Sequence, residues 1–127
     1  MADYSPVYPS GNSTFTATTS ATVTGGQILA ASAAGTVAPA GAVSTFCVGV
    51  AAHDAASGAK VTVWPLANLV HESVATGTVT ALDGVSAAAS GGLQTVVLAT
   101  GAAAGTLIGI ALTTATNPNK VRWIGRF

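Results

Sequence analysis

From residue 14 onward the hydrophobic and polar positions alternate or gather in short runs, and neither pattern is helical. Thr14-Phe15-Thr16-Ala17-Thr18 alternates, and so does Lys60-Val61-Thr62-Val63-Trp64. A period of two sends successive side chains to opposite faces, so both segments predict half-buried strands. Phe46-Cys47-Val48-Gly49-Val50 is apolar throughout, as expected of a short strand covered on both faces. Thr and Val are abundant, helix caps are scarce and Gly punctuates the chain. The Ala-rich patches 30–34 and 86–89 have helix propensity but are too short to hold a helix alone. They read as loops or single turns. The pattern predicts an all-β fold, a small compact barrel or sandwich.

The strand pattern is duplicated. Val48-Gly49-Val50-Ala51 matches Ile108-Gly109-Ile110-Ala111 at an offset of sixty, and Lys60-Val61 matches Lys120-Val121 at the same offset. Upstream, Thr22-Val23-Thr24 matches Thr78-Val79-Thr80 at an offset of fifty-six. Each copy reads as a T-V-T strand, a turn, an apolar strand, a nine-residue connector and a strand beginning K-V. This predicts one β domain over 14–127, with repeat one at about 14–67 and repeat two at about 68–127. Trp64 and Trp123 fall one position apart in the aligned frame. Strand faces alternate, so the two should point to opposite faces. One then belongs to a core and the other to an interface, which makes Trp64 and Trp123 the candidates for an oligomer contact.

Residues 1–13 read as an extended N-terminal arm. Pro6 and Pro9 discourage helix and central strand, while Tyr4 and Tyr8 give the arm something to bury on a partner. The opening Met-Ala-Asp-Tyr-Ser-Pro has no basic stretch and no apolar run, so no signal peptide is expected there.

Composition narrows the function. Ile, Leu, Val and Phe supply 30 of 127 residues, enough for a modest core. Only 6% of residues are charged and the net charge is zero, against about 25% charged in ordinary soluble domains. Such a chain has no field to attract nucleic acid or acidic lipid, and it does not repel its own copies. Burial in an assembly is the natural expectation. Val96–Leu112 contains Gly101, Gly105 and Gly109 at fourfold spacing, which in a membrane marks helix contacts. The stretch is at the short limit for a span, broken by Gly and Thr, and its second half repeats a strand. No membrane segment is therefore expected.

Chemistry is sparse. The histidines occur as His53-Asp54 and His71-Glu72, with Asp3, Asp83 and Cys47 as the remaining candidate ligands. No metal-ligand spacing or paired-carboxylate spacing is present. The repeat partners of His53 and Asp54 are Thr113 and Thr114, which places the acidic pair outside the shared scaffold as a polar loop with a surface histidine. Cys47 lies in an apolar strand and reads as a small buried hydrophobe. Ser57-Gly58-Ala59-Lys60 lacks the first glycine and the ending of a phosphate loop. Arg122, Trp123 and Arg126 are too few for a nucleic-acid surface. No enzyme, cofactor, metal or nucleic-acid role is expected.

Several segments resemble one family. Ala-Asp-Tyr-x-Pro-Val-Tyr at the start, the T-V-T-Gly-Gly-Gln step at 22–27, Val48 to Gly58 and Ile108 to Ala115 are together similar to the head decoration (capsid cement) proteins of tailed actinobacterial phages. The resemblance implies a β-rich structural protein on the outer surface of the phage head, made in the bacterial host cytoplasm. It implies a lambda-like role: cementing neighbouring major capsid proteins, commonly as a homotrimer, and stabilising the expanded head. It also implies shell contacts in the arm, at Asp3, Tyr4, Val7 and Tyr8. The alternatives are another phage virion or tail assembly protein, or a β-rich binding module for ice or glycan.

Overall fold

The computed structural model describes residues 14–126. Twelve strands carry the fold. β1 (Phe15–Thr19), β2 (Ile28–Ala33), β3 (Thr36–Pro39), β4 (Cys47–Ala51) and β5 (Lys60–Pro65) form a closed barrel in the order β1-β3-β2-β4-β5. β6 (Val70–Val74), β8 (Gly84–Ala87), β9 (Leu93–Val96), β10 (Gly109–Ala111) and β12 (Lys120–Gly125) form a five-stranded sheet in the order β6-β12-β10-β8-β9. β7 (Thr78–Val79) and β11 (Ala115–Thr116) pair with each other.

The duplication extends to the register of the strands. β1 lies on β5 with Phe15 opposite Val63 and Thr18 opposite Lys60, and β6 lies on β12 with His71 opposite Trp123 and Val74 opposite Lys120. Leu29 faces Gly49 as Val85 faces Gly109. Gly49 faces Pro65 as Gly109 faces Gly125. Val23 bridges Ala55 as Val79 pairs with Ala115. The barrel closes through the parallel pair Thr19–Val37, and the second unit has the matching parallel bridge Ala75–Leu93. Every one of these pairs is related by offsets of fifty-six before the β3–β4 connector and sixty after it.

The four-residue difference is a helix. β3 and β4 both run antiparallel to β2, so the chain must cross over between them, and β9 and β10 stand in the same relation to β8. The first crossover is an irregular loop. The second contains α1 (Leu98–Ala104), ended by Gly105 in the left-handed conformation (φ 75°), where glycine carries no Cβ penalty. At Gly49 a Cβ would strike the Trp64 carbonyl, and at Gly109 the Ile124 carbonyl. The central glycine of both V-G-V-A-type motifs is thus set by how closely the neighbouring strand approaches.

The Ala-rich patches are only in part the loops or single turns expected: Ala88 lies outside any strand and Ala89 opens a 3-10 turn. Most of 30–34 lies in β2, and 86–87 complete β8. Ladder hydrogen bonds and burial outweigh a weak local preference. The GxxxG stretch forms a seven-residue helix followed by β10, and no helix among the described residues is long and apolar enough to cross a membrane.

Two clusters hold the structure. Val23, Leu29, Val37, Ala51, Val61 and Val63 fill the first barrel. The larger cluster joins Ile28, Ala40, Val50 and Leu66 of the first copy to Val85, Leu93, Val121 and Trp123 of the second. The seam between the copies is therefore core rather than surface.

Candidate interaction surfaces

The residues that could carry chemistry act as backbone partners. In the connector after β4, the Thr62 N–H donates to His53 Nε2 (3.1 Å) and the Gly25 N–H donates to Asp54 Oδ1 (2.8 Å). In the matching connector after β10, the Arg122 N–H donates to Thr113 Oγ1 (3.0 Å) and the Ala81 N–H donates to Thr114 Oγ1 (3.0 Å). His53 Nε2 is an acceptor here, so the ring proton sits on Nδ1, which donates to the Asp54 carbonyl (2.8 Å). His53 and Asp54 therefore belong to the shared scaffold after all. They hold the same two amides as their threonine counterparts, with different side chains.

His71 is not a surface histidine. It is buried in β6, its Nε2–H donates to the Pro65 carbonyl (3.0 Å), and its ring lies 5.0 Å from that of Trp123. Burial pushes its pKa below the ordinary value of 6.5, against the opposing effect of the Pro65 and Leu66 carbonyls. Glu72, the next residue, points out beside Arg122 at 3.7 Å, an exposed pair of little energetic weight. Cys47 is half-buried, its thiol pushed up by burial, and it donates weakly to the Ser44 carbonyl (3.8 Å). A raised pKa keeps the thiol protonated and unreactive. Among the described residues no three His, Cys, Asp or Glu side chains converge on a point.

The two tryptophans take opposite faces. Trp123 aligns with Val63 of the first copy and is fully buried, its Nε1–H donating to Ser73 Oγ (2.9 Å). It fills the chain's own core, which removes it as an oligomer contact. Trp64 aligns with the half-buried Ile124 and is 43% exposed. It lines a shallow depression with Leu69, Val70, His71 and Glu72. Of the candidate contacts in the arm, Asp3, Tyr4, Val7 and Tyr8 all lie outside the described residues.

A second apolar surface went unremarked in the sequence. Leu82 and Val97 are the most exposed large aliphatics among the described residues, and with Leu98 they line a groove beside Asp83, Gly84 and Thr95. Val43 and Phe46 are exposed in the first crossover.

A family model described as phage cement protein matches residues 8–125. The chain belongs to the phage cement protein family. It is therefore a structural, capsid-binding protein of the virion. Among solved structures, the N base of head fiber gp8.5 in bacteriophage phi29 is similar, with a TM-score of 0.67 and 19% identity over 88% of this chain and 92% of that one. At that identity the likeness speaks for the fold. No curated protein matches this family member.

Proposed function

We propose that the chain sits on the outer surface of the phage head and cements neighbouring major capsid proteins of the expanded shell. The observation that carries this reading is a duplicated β scaffold with 6% charged residues and large aliphatic and aromatic side chains left exposed on it. Such a surface is satisfied by protein neighbours. Weak contacts suffice, because a molecule held to two shell subunits at once gains from effective concentration. Copies associate as a homotrimer, with Trp64 and Val70 inside the contact between them. The arm supplies Asp3, Tyr4, Val7 and Tyr8 to the shell.

The test is addition of the purified chain to expanded heads that lack it. The expected outcome is saturable binding and heads that withstand higher temperature before losing DNA. A chain that binds no such head would overturn the proposal. Light scattering on the free chain checks the trimer, and Trp64→Ala should lower the oligomeric mass. Replacing Tyr4 and Tyr8 by alanine should reduce occupancy while leaving the unfolding midpoint unchanged; full occupancy would reject the arm contact.

A further inference from the structure

We propose that Leu82, Val97 and Leu98, with Leu112 next to them, form the face that docks onto an apolar surface of the capsid shell protein. This rests on the capsid-cementing reading above and assigns a surface to it.

The two copies provide an internal control. Their backbones match in register, so a residue required by the fold should recur in kind. At three matched positions it does not. Leu82 corresponds to Gly26, Val97 to Gly41 and Leu112 to Ala52 by the register of the strands around them. Leu98 opens α1, which has no counterpart in the first crossover. The second copy has thus placed large aliphatics where the first has little or no side chain, and all four stay exposed, at 79, 70, 47 and 46%. Packing does not call for the glycines, since a Cβ at Gly26 or Gly41 would meet nothing within 4 Å. Packing does not call for the leucine either. Leu82 holds a left-handed backbone (φ 78°), as Gly26 does (φ 90°), a conformation that disfavours leucine. A strained, exposed leucine contributes nothing to the folded chain by itself.

Three of these side chains gather in one place. Leu82, Val97 and Leu98 line a single groove of about 500 Å³. The Leu82 N–H donates to the Ala111 carbonyl (2.8 Å), which puts Leu112 next to the turn. The carboxylate nearest in sequence is Asp83, and its Oδ2 accepts the Thr80 N–H (3.1 Å). Gln27 Oε1 does the same for Thr24 in the first copy, so Asp83 is engaged in a turn of the fold. No charged residue lies between Asp83 and Lys120. Asp83 lines the edge of the groove and the Leu112 N–H donates to the Arg122 carbonyl (2.7 Å), so the face is an aliphatic patch with charge at its margin, which a partner meets chiefly with apolar groups.

Area separates a shell partner from a second copy. Four partly exposed aliphatics present roughly a few hundred Å², well short of the roughly 800 Å² per partner that holds a stable pair together. Such a patch leaves the free protein soluble and becomes effective on a lattice, where contacts are multiplied.

The test replaces these residues by their repeat counterparts: Leu82→Gly, Val97→Gly and Leu112→Ala together. The variant should keep the oligomeric mass of the parent, unfold at a midpoint no lower than the parent's, and bind heads lacking the protein at least about a hundredfold more weakly, since each lost aliphatic contact accounts for about tenfold. Parent occupancy should be the same in low and high salt. Undiminished binding by the variant would overturn the assignment, as would a changed oligomeric mass, which would make the face a self-contact. Should the triple variant misfold, Leu82→Asn, which tolerates the backbone, must still weaken binding; equal binding overturns the assignment. A parent chain that binds no head would remove the cementing reading itself.

Discussion

His71 occupies in the second copy the place that Phe15 holds in the first, each opposite a core residue of the neighbouring strand. An aromatic ring is wanted at this point, and the second copy supplies one that can titrate. Its neutral form is favoured by burial, so the folded pKa lies below the unfolded value of 6.5. The unfolded chain then takes up the proton first as pH falls. Stability contributed by the neutral ring is complete above about 6.5 and declines as pH drops through 6.5 towards the folded value. Urea midpoints measured from neutral to mildly acid pH should show this fall, and His71→Phe should flatten it without loss of folding. An identical fall in the variant would place the titration elsewhere. The sequence pointed to His71 as a candidate but not to its burial, because a histidine next to a glutamate looks polar. Only the cross-strand register brings Trp123 over it.

At the scale of elements, the connectors show how one backbone job is done by different side chains. The loops 52–59 and 112–119 each hold two amides that no strand can satisfy. His53 and Asp54 satisfy them in one copy, Thr113 and Thr114 in the other. Exchanging the pair, His53→Thr with Asp54→Thr, should therefore leave stability within about 1 kcal/mol. The double alanine variant should lose about 0.5–1.5 kcal/mol for each hydrogen bond removed. Chemical denaturation distinguishes the two, and equal losses would contradict the assignment. The equal length of these connectors was legible in the sequence, but their equivalence was hidden by the change of residue type. The crossovers were less legible. A loop in one copy and α1 in the other answer the same need to join parallel strands, and the shared need leaves no common sequence signature. Aligning the copies position by position marks Gly26 against Leu82 as a mismatch, which was the available signal for the exposed groove.

At the scale of the whole molecule, the seam between the copies is the larger of the two hydrophobic clusters. Trp123 and Leu93 from the second copy pack with Ile28, Val50 and Leu66 from the first. Neither copy keeps this core if the other is taken away. Calorimetry should show one transition whose calorimetric and van't Hoff enthalpies agree, and segments 14–67 or 68–126 expressed alone should not fold. Two resolved transitions would refute the shared core. Trp123→Ala should lower stability by about 3–5 kcal/mol by leaving a cavity at the seam, measured by urea denaturation.

The all-β character, the duplication and the opposed tryptophans were determined by the sequence alone, because strand period and repeat offset are properties of neighbouring residues. Which tryptophan is core was decided only by the tertiary structure. So were the strand status of the alanine patches, the burial of His71 and the clustering of Leu82, Val97 and Leu98. Burial depends on what the rest of the chain brings to a face, and that contact is made across strands distant in sequence.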